Sequence, residues 1–357
     1  MGMLLDGRWS KEDRTLHDGA YVRPASPFSA CIPAELIRDI GAEPGRFHLI
    51  ASRSCPWSHR TILARTLKDL EAALPLHVAT GPRTQGYRMG TADRPWRVPG
   101  TNNRIEHLHE LYTLAEPRLT ARSTVPVLWD AAAQRIVSND SARILRALDA
   151  VEVKGSAGAD WTLAPHHLHS EIAALSDRIQ SGLSNAVYRS GKARRQDVYD
   201  VAVDEVFDTL DMLENRLSET RFLHGRALTE TDLRLWPTLI RFDLVYHGHF
   251  KCARRRLVDF PNLWAYARDL LALPGVAATF DPDAIRKAYY GEDRDLNPTG
   301  LVAAAPELDW HAYHDRDSLS DRRVWRRSGA SVPFQSVTAA TGATKPCCPP
   351  ANWRTAS

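Results

Sequence analysis

Apolar and polar positions change rhythm in blocks between residues 46 and 150. Phe47-His48-Leu49-Ile50-Ala51-Ser52 is a short, mostly apolar run and predicts a strand over 46–52. Helical spacing follows from Trp57 to Ala72. Leu76-His77-Val78-Ala79 predicts a second strand, and a long polar loop runs from Gly81 to Gly100. A helix is expected at about 103–116. Two short strands come next, Pro126-Val127-Leu128-Trp129 and Arg135-Ile136-Val137, and Ser141 to Leu148 closes the block as a helix. Further on, Val201, Val203, Val206, Phe207, Leu210, Leu213 and Leu217 recur at helical spacing and mark a core-facing stripe. Thr229-Glu230-Thr231-Asp232 is a Thr-x-x-Asp capping signal ahead of a helix carrying Leu235, Leu239, Phe242 and Val245. Pro261, Pro274 and Pro282 punctuate the helical pattern beyond it.

These blocks divide the chain into four parts. Residues 1–45 are rich in turn formers and charge and are expected to wrap over the surface as an N-terminal extension. Residues 46–150 read strand, helix, strand, helix, hairpin, helix, which is a thioredoxin-like α/β order. Residues 160–315 form an all-α domain. From 316 to 357 the composition shifts to Ser, Arg, Ala, Thr and Pro without periodicity, and a disordered tail is expected.

The 357 residues are 43% hydrophobic and 25% charged, values of a soluble globular protein of about two domains. The net charge of +3 implies no polyanionic partner such as nucleic acid, and Arg254-Arg255-Arg256 and Arg326-Arg327 read as solvated faces. No apolar run of about 18 residues is present, so no membrane span is expected. Met1-Gly2-Met3-Leu4-Leu5-Asp6 lacks the basic and apolar regions of a signal peptide. Cys31, Cys55, Cys252, Cys347 and Cys348 are too few and too scattered for a disulfide framework, and fit a reducing cytoplasm. His247, His249 and Cys252 lack an evident fourth ligand, so no metal is expected there.

The chemistry concentrates at Ser54-Cys55-Pro56-Trp57-Ser58-His59-Arg60. Cys55 falls where the first strand gives way to the first helix. Unpaired N–H groups and the positive end of the helix dipole favour a thiolate at such a junction, and the thiolate is the nucleophile. No second cysteine lies two or three residues away, so Cys55 cannot close a local disulfide; its partner is a small thiol from solution. Thr124-Val125-Pro126 precedes the third strand. A cis proline there would turn the Val125 backbone outward to pair with an extended peptide.

This arrangement resembles the glutathione transferases. The segments at 54–60, 122–130 and 136–141, together with Arg241 to Cys252, Ala288-Tyr289-Tyr290 and Leu296-Asn297-Pro298, look like the xi class, the glutathionyl-hydroquinone reductases. The resemblance implies a thiol-binding domain at 46–150, a substrate domain at 160–315 and a homodimer. It implies that Cys55 removes glutathione from a glutathionyl-hydroquinone through a mixed disulfide that a second glutathione resolves. It further implies catalytic roles for Cys55, Tyr188 and Tyr290, the two phenols facing the aromatic adduct. Tyr87, Arg122, Val125, Asp140 and Ser141 are implied to hold glutathione, with Arg122 on the glycyl carboxylate and Asp140 and Ser141 at the γ-glutamyl end. Asp140 and Ser141 also read simply as a helix cap.

Four positions depart from the family pattern: Tyr87 stands where Trp is usual, Asp140 where Glu is usual, Ala288 where His is usual and Ala253 where Asn is usual, the first three at the implied thiol or substrate contacts. They leave open another low-molecular-weight thiol, and a broader omega-like thioltransferase or dehydroascorbate-type reductase. A non-catalytic ligand-binding module on the same fold is the remaining alternative.

Overall fold

The computed structural model describes residues 2–12 and 14–334. Two hairpins open the chain, Met3–Leu5 (β1) with Arg8–Ser10 (β2) and Leu16–His17 (β3) with Ala20–Tyr21 (β4). Both turn on Asp-Gly pairs, Asp6-Gly7 and Asp18-Gly19, in which both residues have positive φ. That geometry suits a two-residue hairpin and favours glycine second. A Cβ on Gly7 would come within 1.8 Å of the Pro117 carbonyl oxygen, so the first turn also needs glycine for space. Ala34–Ala42 (α1) follows, burying Leu36 and Ile40. The N-terminal extension over 1–45 thus carries two hairpins and a helix. β1 bonds to the segment before the third sheet strand, through Leu4 N to Ala121 O at 2.8 Å.

Phe47–Ala51 (β5) leads into Pro56–Leu67 (α2), then Leu76–Val78 (β6). The polar loop holds a short pair, Trp96–Arg97 (β7) and Arg104–Ile105 (β8), before Leu108–Ala115 (α3). Val127–Asp130 (β9), Arg135–Ser138 (β10) and Ser141–Ala150 (α4) complete the domain. The main sheet runs β10-β9-β5-β6, with β5 parallel to β6 and antiparallel to β9. β5 is an inner strand whose Phe47, Leu49, Ile50 and Ala51 are buried, which is why it reads as a nearly continuous apolar run. α2 ends five residues earlier than the pattern suggests, because Lys68 caps it and Asp69 takes φ 54°. Burial pushes the Lys68 ammonium down to about 8, opposed by Asp149 at 3.3 Å. α3 begins at 108 rather than 103, where His107 and Glu110 cap it reciprocally.

His48 and His77 sit side by side on β5 and β6, Nδ1 to Nε2 at 3.0 Å, and Trp96 Nε1 donates to His77 Nδ1 at 3.2 Å. The donor at Nδ1 fixes the tautomer: His77 is neutral and gives its Nε2 proton to His48. Burial, then the neighbouring His48, pushes His77 from 6.5 down to about 4. An unfolded chain takes up this proton at higher pH than the folded one. The pair's stabilisation is therefore complete above about 6.5 and is lost as pH falls toward 4. We expect the urea midpoint to drop across that window, and to drop less in His77→Gln; a flat profile would contradict the tautomer chain.

The helical half begins with Trp161–Thr162 (β11), then His169–Ile179 (α5), Ala186–Lys192 (α6), Gln196–Glu219 (α7), Glu230–Arg241 (α8), Pro261–Leu271 (α9) and Pro282–Glu292 (α10). α7 buries the expected stripe from Val203 to Leu217, but Val201 is exposed. At the start of α8, Asp232 accepts from Thr229 N at 2.8 Å, as the capping signal requires. A π-type turn, Phe242–Tyr246, continues from its end.

The reading of 316–357 as disordered is corrected over 316–334. Arg323–Arg326 (β12) pairs with β11 and with Ser331–Pro333 (β13). Arg316 is buried and donates to the carbonyls of Leu217, Thr220 and Arg221 at the end of α7. Next to it, Arg221 and Asp269 form a fully buried pair at 2.8 Å. Composition missed this because the Arg316 contacts and the β11–β12 pairing join residues about a hundred or more positions apart. Cys347 and Cys348 lie outside the described residues. Among the described residues no helix is long and apolar enough to cross a membrane.

Candidate active site

A cleft of about 340 Å³ lies where the loop after β5 meets the helical half, and its walls include Cys55, Trp57, Tyr87, Val125, Tyr188 and Tyr289. Cys55 is the N-cap of α2 in extended conformation, with Pro56 first in the helix. Pro56 has no N–H to satisfy, while the first-turn N–H groups behind it have no intrahelical acceptor. A negative sulfur at Cys55 thus faces the positive end of α2. The Cys55 thiol lies 3.7 Å from the Val125 carbonyl, and the Val125–Pro126 bond is cis, as expected.

The loop that presents Cys55 is gripped from the other half of the molecule. Arg241, at the end of α8 and fully buried, donates to Arg53 O at 2.8 Å, Ser54 O at 3.1 Å and Pro237 O at 2.7 Å. Its guanidinium also meets His59 Nδ1 at 3.3 Å, and His59 Nε2 bonds Thr279 Oγ1 at 2.7 Å. Burial, then the Arg241 charge, holds His59 neutral, well below the usual imidazole range. Arg60 joins the halves too, donating to Arg234 O, Gln180 Oε1 and Ser184 Oγ. Burial pushes its guanidinium down to about 9. None of these roles is legible in local pattern, since a buried arginine is recognised only by acceptors supplied from elsewhere.

On the helical side, Tyr188 and Tyr289 share a hydrogen bond between their hydroxyls, and Tyr246 OH stands 3.4 Å from Tyr289 OH. The Trp57 and Phe250 rings each lie 5.0 Å from Tyr188. Burial pushes Tyr188 and Tyr289 well above the usual phenol range, so both are donors at neutral pH. Tyr290, expected here, is not among the residues lining the cleft, and its neighbour Tyr289 is. Neighbours on a helix point about 100° apart, and Tyr290 turns out of the cleft to meet the His249 ring at 4.8 Å. The signal was present: Ile285, Ala288 and Tyr289 are the buried residues of α10, spaced i, i+3, i+4.

Tyr87 reaches the sulfur. Its phenol lies against Cys55, and burial, then negative charge on Cys55, raises it above the usual phenol range. Arg122 also lines the cleft. Its segment is fixed by Tyr112 OH, which donates to Thr124 O at 2.7 Å, and by Asn139, whose amide donates to Thr124 Oγ1 at 3.1 Å. Asp140 is the N-cap of α4, accepting from Ala142 N at 2.9 Å and Arg143 N at 3.0 Å, and Ser141 is the first helical residue. The capping reading therefore holds for Asp140, and neither residue is among those lining the cleft.

The other cysteines differ from Cys55. Burial pushes the Cys252 thiol up to about 12, and Cys31 is exposed with Arg143 Nη1 at 2.9 Å. Among the described residues, His107, His109 and Glu110 bring together donors that could hold a metal. Glu110 Oε1 accepts from Glu106 N and His107 N, while His107 Nε2 meets Thr84 Oγ1 at 3.1 Å and His109 Nε2 meets Gln85 Oε1 at 3.2 Å.

Residues 54–151 match the family model of the glutathione S-transferase N-terminal domain, and 196–269 that of the C-terminal domain. Glutathionyl-hydroquinone reductase PcpF of Sphingobium chlorophenolicum is 38% identical over 310 residues, covering 86% of this chain and 96% of that protein. The chain belongs to the xi class of the glutathione S-transferases. Glutathionyl-hydroquinone reductase YqjG of Escherichia coli is 38% identical, covering 89% of this chain and 99% of its own. The glutathione-bound structure of YqjG superposes with a TM-score of 0.75 at 36% identity, covering 88% of this chain and 99% of that one. The xi-class enzyme of Natrialba magadii gives 0.78 at 36% identity, covering 90% and 98%. The thioredoxin-like half followed by an all-α half is thus the family's fold, with Cys55 at the sheet-to-helix junction of the first half.

Proposed function

We propose that the protein is a glutathionyl-hydroquinone reductase. The Cys55 thiolate attacks the sulfur of a glutathionyl-hydroquinone. The bond from sulfur to the ring breaks, and the ring carbon keeps the electron pair and takes a proton. This yields free hydroquinone and a Cys55–glutathione disulfide. A second glutathione thiolate attacks the glutathionyl sulfur, releases glutathione disulfide and restores Cys55. The net change reduces the ring carbon, and the sulfur it loses joins the sulfur of one glutathione thiol as glutathione disulfide.

The observation that carries this reading is the juxtaposition of a lone nucleophilic thiol with protonated phenols. Tyr188 and Tyr289 stand opposite Cys55 in one cleft, ready to donate to the ring oxygens as charge develops on the leaving group. A plain thioltransferase needs no such phenols, because its leaving group is a thiolate. Val125 beside the sulfur offers backbone to the cysteinyl part of glutathione, and Arg122 a cation to its glycyl carboxylate. Asp140 and Ser141 at the start of α4 are proposed for the γ-glutamyl end.

A comparison of two substrates tests the reading. We expect kcat/KM for a glutathionyl-hydroquinone to exceed that for the mixed disulfide of glutathione and hydroxyethanethiol. In Tyr188→Phe the first should fall by about tenfold or more while the second stays within about twofold. Equal losses on both substrates, or a preference for the disulfide, would favour the omega-like thioltransferase.

A further inference from the structure

Arg23 comes from the N-terminal segment, not from either family domain. Its guanidinium lies over the Trp57 ring at 3.6 Å from the centroid, two residues along α2 from Cys55, and it lines the cleft. The chain holds it there from both sides. Upstream, the β3–β4 hairpin is fastened to the helical half through Arg194 N to Gly19 O at 2.9 Å, and Val22 N bonds Thr15 O at 2.7 Å. Downstream, Phe28 N donates to Asn139 Oδ1 at 3.1 Å and Ser138 Oγ donates to Phe28 O at 3.0 Å. Arg23 is thus carried on a strap anchored at each end.

Of the cleft's other cations, Arg294 at its helical end donates to Pro298 O at 3.2 Å, and two more have acidic partners. Arg83 pairs with Glu292, and Lys192 pairs with Asp293 at 3.0 Å. Arg23 meets no carboxylate or carbonyl acceptor among the described residues. A guanidinium stacked on an indole keeps its edge and its N–H fork free, and that fork matches a carboxylate or sulfonate. The face it covers is that of Trp57, whose ring lies 5.0 Å from Tyr188, and Tyr21 adds a third ring 6.3 Å from Tyr188. These rings form the aromatic wall of the cleft.

We propose that Arg23 selects hydroquinone adducts bearing an anionic ring substituent, a carboxylate or sulfonate, which it binds through its guanidinium edge. The inference rests on the reductase reading of the same cleft. The ring lies against Trp57 and Tyr188, its sulfur faces Cys55, and its acidic substituent meets Arg23. The residue then sets substrate choice and takes no part in the exchange of sulfur. The glycyl carboxylate of glutathione is the competing anion. It is common to every glutathionyl adduct, so it gives no preference between them.

Two adducts decide between these anions, a glutathionyl-hydroquinone and its ring-carboxylated counterpart. Wild type should favour the carboxylated one in kcat/KM by about tenfold or more, the weight of a hydrogen bond to a charged group. Arg23→Gln should abolish that preference by raising KM for the carboxylated adduct alone, and Arg23→Lys should restore part of it. Binding of the free carboxylated hydroquinone to the Cys55→Ser variant, followed by calorimetry, should weaken by a similar factor when Arg23→Gln is added. No preference in wild type, equal losses on both adducts, or a rise in KM for free glutathione would overturn the role of Arg23. If wild type turns over neither adduct, the reductase reading fails; the calorimetric arm still reports on Arg23.

Discussion

Replacing Cys55 by Ser is expected to lower turnover of a glutathionyl-hydroquinone on the order of 10³-fold or more while leaving the unfolding midpoint close to wild type. The size of the effect follows from chemistry. A serine hydroxyl remains protonated at neutral pH even at a helix N-terminus, and an alkoxide cannot form the disulfide that stores the glutathionyl group between half-reactions. The small structural cost follows from packing. The Cys55 thiol lies 3.7 Å from Val125 O and against the Tyr87 phenol, weak contacts both, and serine occupies nearly the same volume. Residual turnover within tenfold of wild type would mean that another thiol carries the reaction. The rest of the described chain offers poor substitutes: Cys252 is buried and held protonated, and Cys31 lies in a groove outside the cleft.

The second large effect is expected at Arg241, which touches no substrate. Arg241→Met leaves the buried Ser54 carbonyl and the half-buried Arg53 carbonyl without their donor and removes a second donor from the helical Pro237 carbonyl. Each stranded carbonyl costs about 1–3 kcal/mol, so a loss of about 3 kcal/mol or more in urea unfolding is predicted. Turnover should fall as well, by about 10²-fold, because the Arg53-Ser54 backbone sets where Cys55 meets the helix, and a displacement near 1 Å carries such a penalty. Arg241→Lys keeps the charge but cannot reach three carbonyls with a planar fork, so it should recover only part of either quantity. A variant with full stability and full activity would show that the Cys55 loop holds its shape unaided.

Different parts of the molecule were legible in the sequence for different physical reasons. Cys55 could be placed at the head of α2 because burial on both faces makes β5 read apolar, and Pro56 suits the first helical position. Thr229 and Asp232 announced α8 because a capping box is local. The two Asp-Gly turns at residues 6–7 and 18–19 were equally local signals of hairpins, obscured by the charge and shortness of strands β1 to β4. That Tyr289 and not Tyr290 lines the cleft is a matter of helical phase, carried by the spacing from Ile285. Arg241, Arg60 and Arg316 belong to another class. Each is a cation buried by carbonyls 50 or more positions away, and the same residue type on a solvated face looks identical in one dimension. Strand pairing of 323–326 with 161–162 was hidden for that reason too.

The covalent intermediate on Cys55 is the most direct test of the account. Protein freed of small thiols is mixed with one equivalent of a glutathionyl-hydroquinone, quenched in acid and weighed intact, with the modified residue located by peptide mapping. The account predicts a gain of one glutathionyl group per chain, on Cys55, with free hydroquinone released in equal amount, and loss of the adduct on adding glutathione. Hydroquinone released with no adduct on Cys55, or an adduct on another cysteine, would contradict it.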